Sequence, residues 1–168
     1  MAVLPGCSTV DPPAATVNGE QISMDDFADE VRLGLPSVGF DAACTGTKVA
    51  SGDCARNWMN LRVSYLAVEQ MFADRGAPIT DDEVTAAAAN LGSGPDWATV
   101  PEPVRRRISR VAAALSRMRD ADEATKNAAR DWLMSADIRV ASVIGTWNPD
   151  NGVLPAGVEP GLSNLAGA

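Results

Sequence analysis

The chain of 168 residues contains no histidine. Histidine is the usual general base and the commonest metal ligand, so its absence removes Ser-His-Asp and Cys-His nucleophilic systems and most zinc sites. No apolar run reaches the ~18–20 residues that a membrane span requires. No glycine-rich segment has the lysine and the helical context of a phosphate-binding loop. The composition therefore argues against a hydrolase, and we expect neither a metal nor a cofactor.

Basic residues are also scarce, since 14 Lys and Arg stand against 22 Asp and Glu and give a formal net charge of −8. This balance argues against a nucleic-acid partner. The one basic cluster is in residues 101–140, which carry nine basic and six acidic groups. Its arginines either bind an acidic partner or lipid headgroups, or form a solvated face paired with the acidic N-terminal half, and we favour the second interpretation. These arginines are Arg105, Arg106, Arg107, Arg110, Arg117 and Arg119.

Cysteine occurs three times. Cys44 and Cys54 enclose a segment rich in Gly, Thr and Ser, which a disulfide could close; the alternative is two free buried thiols. A structural zinc site would need more soft ligands than the remaining Cys7 supplies. A disulfide would place the chain in an oxidising compartment.

Cys7 lies in a short segment, residues 4–7 (LPGC), that resembles the end of a bacterial lipoprotein signal. In such signals a small residue precedes a cysteine that is lipidated. The basic and apolar regions of a full export signal do not precede this segment. We interpret residues 1–14 as a signal remnant and flexible linker, with an incidental thiol in a disordered N-terminus as the alternative.

Hydrophobic periodicity and capping signals predict a series of helices. Ser23 begins the first helix, and Gly34 and Pro36 are expected to end it. A long helix follows at about residues 57–75, and its apolar stripe favours a packed core over a ligand groove. Thr80 and Glu83 form a capping box for a short helix, and two more helices are expected at about residues 102–119 and 123–135.

Strand signals occur at the two ends of this helical region. Asn18 and Gly19 predict the tight turn of a small hairpin. Residues 137–144 are rich in branched side chains and are predicted to form a strand. We expect residues 16–18 to pair with residues 138–143, and we expect residues 151–168 to form a flexible tail.

Two motifs in this order, residues 16–23 (TVNGEQIS) and 79–84 (ITDDEV), together with the exit at residues 139–149, resemble the N-terminal chaperone module of the SurA family. Related extracytoplasmic foldases, including PrsA-type lipoproteins, contain the same module. The resemblance covers residues 15–150. It implies a mainly α fold, a helical SurA N-terminal-like bundle of about five helices with a small two-stranded pairing of the N- and C-terminal segments.

The resemblance also implies a function, that of a client-binding domain outside the cytoplasmic membrane. We therefore expect a noncatalytic, holdase-type domain of a bacterial lipoprotein in the periplasm or cell wall space, lipid-anchored at Cys7, with unfolded or exported polypeptides as partners. SurA and PrsA relatives also carry parvulin-type prolyl isomerase domains. This chain has neither the length nor the histidines for one, so isomerase activity is not expected.

Candidate client-binding residues are apolar side chains that adapt to varied partners. They are Met24, Phe27, Met71, Trp97, Met118 and Trp132.

Two other functions remain open. The chain could be a cell-envelope interaction protein that docks one specific folded partner. It could also be an enzyme that uses clustered carboxylates, although both clusters lie at predicted helix N-termini, where the helix dipole favours acidic residues without any catalytic reason. The clusters are Asp25, Asp26 and Glu30, and Asp81, Asp82 and Glu83.

Overall fold

The computed structural model describes residues 12–40, 52–92 and 96–155. These residues form a mainly helical structure with two small antiparallel sheets, which confirms the predicted fold class. Cys7 and Cys44 lie outside the described residues, so lipid attachment and the pairing of Cys44 stay predictions. Cys54 is fully buried and disulfide-bonded.

The first sheet joins the two ends of the domain. It consists of β1 (Ala15–Val17), β2 (Glu20–Ile22) and β3 (Ile138–Val140), with β1 in the centre and antiparallel to both neighbours. Asn18 and Gly19 connect β1 to β2 with φ angles of 50° and 86°, which this type of tight turn requires. The predicted pairing of the N- and C-terminal segments is therefore confirmed, and β2 adds a third strand to it.

The β1–β2 hairpin is followed by a first helical segment, which consists of α1 (Met24–Asp29), a π-helical turn (Glu30–Gly34) and α2 (Leu35–Val38). Four longer helices come after it. They are α3 (Gly52–Asp74), α4 (Asp81–Leu91), α5 (Glu102–Asp120) and α6 (Glu123–Ser135), with a 3₁₀ turn at Trp97–Thr99 before α5. The predicted capping box of α4 is confirmed, because the Thr80 hydroxyl accepts from the Glu83 N–H and Glu83 accepts from the Thr80 N–H. The long helix begins about five residues earlier than expected.

The first helical segment is continuous but irregular. Its π-helical turn lies between α1 and α2, and it ends at Gly39 with φ 62°. The Ser23 hydroxyl accepts from the Asp26 N–H at 3.1 Å, as predicted. The expected stop at Gly34 and Pro36 is wrong. Pro36 lies in the first turn of α2, where a proline is tolerated because its missing N–H is not required.

Gly34 has a packing role instead of a terminating one. A Cβ atom at this position would overlap the side chain of Ile108 and lie 3.1 Å from Cγ1 of Val104. The missing side chain therefore allows the π-helical turn to approach α5 closely. This role could not be deduced from the local sequence, because Ile108 is 74 residues away.

A second, two-stranded sheet follows β3. It is a hairpin of β4 (Thr146–Asn148) and β5 (Gly152–Leu154). The sequence predicts a turn-rich exit here and a flexible tail from residue 151, and the structure has a hairpin instead. The Asn148 side chain stabilises the turn by accepting from the backbone N–H groups of Asp150 and Asn151, both at 2.9 Å. Regular structure therefore continues to Leu154, whereas the predicted strand at 137–144 is limited to β3.

The buried apolar residues form two clusters. The first lies between the three-stranded sheet, the first helical segment and the N-terminal parts of α3 and α5. The second lies between the C-terminal part of α3 and helices α4, α5 and α6. The second cluster forms the base of the groove described next. Its members are Val68, Met71, Phe72, Ile79, Val84, Ala87, Ala113, Ala114 and Ala129.

Candidate binding groove

A groove of about 700 Å³ lies between α4 and the C-terminal half of α5. The start of α6 closes one end of it, where Ala121 and Thr125 contribute to the lining. Five of its eight apolar lining residues are alanines, and the other three have larger side chains. These apolar lining residues are Phe72, Ala86, Ala87, Leu91, Ala112, Ala113, Leu115 and Ala121.

Four of the five lining alanines come from two short runs in the sequence, residues 86–89 in α4 and residues 112–114 in α5. Alanine favours helix formation while presenting only a methyl group. Larger side chains at these positions would fill the space between the two helices. The groove is therefore a direct consequence of small residues on both of its walls.

One end of the groove is charged. Arg117 is fixed there, because it donates to the carbonyl groups of Ala77 and Pro78 at 2.9 and 3.2 Å and its guanidinium lies 4.4 Å from the centroid of the Phe72 ring. Arg119 and Asp120 also line this end and are exposed, and neither forms an ion pair with any residue that the structure describes. Two charges are therefore available to a bound molecule.

Glu83 lies at the same charged end and remains ionised. The hydrogen bond from the Thr80 backbone N–H is the largest cause that lowers the pKa of Glu83, and the Thr80 hydroxyl and Arg117 lower it further. Its ion pair with Arg117 has a separation of 3.7 Å. The residue that caps α4 thus also supplies a negative charge to the rim of the groove.

The predicted client-binding residues do not line this groove. Phe27, Met71 and Trp97 are buried in the core, with at most 4% of their surface exposed. Met24, Met118 and Trp132 are half-buried and pack against the two core clusters. Large adaptable side chains are therefore used here to fill the interior. The signal that could have located the groove is the pair of alanine runs.

A second, shallower cavity of about 530 Å³ includes Trp132. Two of its polar residues already have partners, because Asn18 donates to Gln70 at 2.8 Å and Gln70 donates to the Val17 carbonyl at 3.0 Å. Asn18 also accepts from the Asp137 N–H at 2.9 Å. These hydrogen bonds connect the sheet to α3, so this cavity is a structural junction.

Glu30 is fully buried in the π-helical turn. Its carboxylate accepts from the indole N–H of Trp58 at 2.7 Å, from Arg62 at 3.0 Å and from Arg107 at 2.9 Å. Arg107 also forms an ion pair with Asp26 at 3.2 Å. Of the first carboxylate cluster considered for catalysis, Asp26 and Glu30 thus meet at one arginine, while Asp25 is exposed.

Two members of the second carboxylate cluster are likewise engaged in structural contacts, while Asp82 is exposed. Asp81 forms an ion pair with Arg106 at 2.8 Å, and Glu83 caps α4. A third carboxylate, Glu69, pairs with Arg110. Burial raises the pKa of Glu69, although Arg110 and Arg62 oppose this effect.

Most of the arginine-rich face therefore pairs with acidic residues from the first half of the chain. Arg106, Arg107, Arg110 and Arg117 contact acidic residues between positions 26 and 83. This confirms the expected pairing of these four arginines with the acidic N-terminal half, but the side chains of Arg107 and Arg117 are half-buried and not fully solvated. Arg119 also lines the groove, but it has no acidic partner among the described residues.

Among the residues that the structure describes, no group of three His, Cys, Asp or Glu side chains is arranged to hold a metal ion. None of the described helices has the length and apolarity needed to cross a membrane. Comparison with protein-family models, curated proteins and solved structures gave no match. The groove and the sequence motifs are therefore the features that bear on function.

Proposed function

We propose that this chain is a noncatalytic holdase domain that binds unfolded or partly folded exported polypeptides. The observation that carries the proposal is the open, alanine-lined groove between α4 and α5. Its volume of about 700 Å³ lies within the range of binding clefts in proteins. A groove of this size can accept several apolar side chains of a non-native chain.

The chemistry of the groove suits a partner of variable sequence. Burial of apolar surface is non-directional and scales with the area removed from water. Alanines are the majority of the apolar lining residues, and the charged groups are concentrated at one end. Many different apolar segments could therefore bind with similar affinity.

The proposed location is outside the cytoplasmic membrane. The disulfide at Cys54 supports this location, because disulfides persist in oxidising compartments. The lipoprotein-like segment at residues 4–7 supports an anchor at Cys7. Incorporation of labelled fatty acid into the exported protein tests the anchor, and we expect the Cys7→Ser variant to lose all label. Label that survives this substitution would refute the assignment of Cys7.

The holdase proposal is tested by light scattering. A chemically denatured monomeric protein is diluted into buffer containing the oxidised 168-residue chain at increasing molar ratio. We expect aggregation to decrease with dose, and we expect an acidic control protein of similar size to have no effect.

Two matched variants test whether the groove is responsible. Leu115 lines the groove and Leu33 does not, yet each has 37% of its surface exposed. We expect Leu115→Ser to weaken the suppression of aggregation several-fold and Leu33→Ser to leave it unchanged. No suppression by the unmodified chain at several-fold excess would refute the holdase proposal and favour the docking of one folded envelope partner.

A further inference from the structure

The walls of the groove are formed by helices. The lining residues of α4 are spaced as one face of a helix over two turns, a length of about 12 Å, and α5 contributes residues 112–120 alongside them. No residue of β1–β5 contributes to the lining. The α4 residues are Glu83, Ala86, Ala87, Asn90 and Leu91.

This construction limits what the groove can offer to the backbone of a bound peptide. The N–H and C=O groups within a helix are bonded to each other, so the walls have no free row of backbone groups with which a strand could pair. Besides the charged residues concentrated at one end, the described lining residues with polar side chains are Asn90, Ser116 and Thr125. They are too few to pair with the backbone of an extended segment along the whole groove.

The free-energy cost of having few hydrogen-bond partners in the groove differs between an extended and a helical peptide. About four extended residues would span the 12 Å of the groove, at roughly 3.3 Å per residue. Their buried backbone groups would lose hydrogen bonds to water, and unpaired buried polar groups are unfavourable. A helical segment satisfies these groups internally and presents apolar side chains at positions i, i+3 or i+4, and i+7.

The charged end of the groove fits the same kind of ligand. An amphipathic helix carries charged residues beside its apolar face. Arg119 and Asp120 are exposed at the rim, and no described residue forms an ion pair with either of them. They provide one positive and one negative partner for charges that flank the apolar face of a bound helix.

We infer that the groove binds its client segment as an amphipathic α-helix of about two turns, with an acidic flanking residue against Arg119. This inference rests on the proposed holdase function and specifies which segments of an exported polypeptide the domain selects. Segments of strong helical propensity with a narrow apolar face are its substrates. Extended segments of the same composition bind less well.

The test uses a fluorescently labelled 14-residue peptide composed of Leu, Ala, Glu and Lys with leucines at helical spacing. Its counterpart has the same sequence but D-leucine at two central positions, which interrupts the helix and preserves composition and apolar area. Binding to the full oxidised chain is measured by fluorescence anisotropy, and helix formation by circular dichroism. We expect the all-L peptide to bind at least tenfold more tightly and to gain helical signal on binding.

A matched pair of variants locates the peptide. Ala86 and Ala89 are both exposed on α4, but only Ala86 lines the groove. We expect Ala86→Trp to weaken binding of the all-L peptide about tenfold by filling the groove, and Ala89→Trp to leave it unchanged. Arg119→Glu is expected to weaken binding several-fold, and a peptide with lysine in place of the flanking glutamate is expected to restore it.

The outcomes separate this inference from the function on which it rests. Equal or tighter binding of the interrupted peptide, with aggregation still suppressed, would refute the helical inference and leave the holdase function standing. The same holds if Ala86→Trp and Ala89→Trp have equal effects on peptide binding. Loss of both peptide binding and aggregation suppression in the unmodified chain would refute both.

Discussion

Helix α5 contacts its neighbours in two different ways. On the side that faces the first helical segment and α3, its arginines meet buried carboxylates, with Arg107 at Glu30 and Arg110 at Glu69. On the side that faces α4, its small residues leave a groove of about 700 Å³. The same helix thus has one interface closed by specific polar contacts and one left partly open.

This difference separates the side of α5 that stabilises the domain from the side that is proposed to bind a client. A buried ion pair tolerates few rearrangements, because moving one partner leaves the other charge uncompensated. Alanine methyl groups impose no such requirement on whatever lies against them. We therefore expect substitutions on the charged side to affect stability, and substitutions on the alanine side to affect binding.

The largest expected effect is at Glu30. Replacement by alanine would leave Arg62, Arg107 and the Trp58 indole N–H without their shared acceptor. Breaking a buried pair in this way costs about 3–5 kcal/mol of unfolding free energy, which urea denaturation would measure. Asp25→Ala, at an exposed position in the same helical segment, is the control and should cost no more than about 1 kcal/mol, the upper end for an exposed carboxylate in a first helical turn. A similar small change for Glu30→Ala would remove the distinction between the two sides of α5.

Gly34→Ala is expected to have the second largest effect. The new methyl group would overlap Ile108, which is 3% exposed and has little room to move. Overpacking of this kind costs about 1–3 kcal/mol, measurable by urea or thermal denaturation. Adding Ile108→Val removes the Cδ1 atom that the methyl group meets and should recover part of the loss. Additive effects of the two substitutions would show that Gly34 and Ile108 are not coupled.

Thr80→Ala tests the outer wall of the groove. It removes the hydroxyl that accepts from the Glu83 N–H and should destabilise the protein by about 1 kcal/mol. Because α4 carries five lining residues, peptide binding should also weaken. Thr80→Ser keeps the hydroxyl and is the matched control for both denaturation and anisotropy. Equal stability of the alanine and serine variants would exclude a role for the cap.

The smallest effect concerns pH. The pKa of Glu69 is raised above its usual 4.5, mainly by burial, so its contribution to stability is fully present below about pH 4.5 and is lost as pH rises through the raised pKa. Glu83 has a lowered pKa, so its contribution is present above about pH 4.5 and is lost as pH falls through that lowered value. Glu69→Gln should remove the first dependence and preserve the second in urea titrations at several pH values. An unchanged pH profile would contradict the assignment to Glu69.

Features governed by local chemistry were predictable from the sequence. The caps at Ser23 and Thr80 follow from side chains that satisfy nearby backbone N–H groups, and the turn at Asn18 follows from residues that accept positive φ. The pairing of β1 with β3 was also predicted, although the hairpin of β4 and β5 was missed. The hairpin was missed because Asn148 and the turn residues that follow it have the composition of an ordinary loop.

Features governed by distant contacts were not predictable in this way. Gly34 and Pro36 carry the local signals of a helix end, but a π-helical turn and the approach of α5 determine their roles. The six candidate client-binding residues were selected for side-chain chemistry, whereas exposure depends on the tertiary arrangement. The groove arises where two runs of alanines face each other. A run of alanines in the sequence does not by itself indicate a binding site.

The position of β1 affects how the chain acquires its structure as it emerges from export. Asn18, next to β1, is joined by a hydrogen bond to Asp137, which is 119 residues later in the sequence. An exported chain emerges with its N-terminal residues first, so β1 waits with one unpaired edge until almost the whole domain has emerged. Exposed strand edges are sites of aggregation, and contacts of such long sequence separation slow folding. The domain proposed to protect other incomplete chains therefore has an aggregation-prone interval of its own before its last residues emerge.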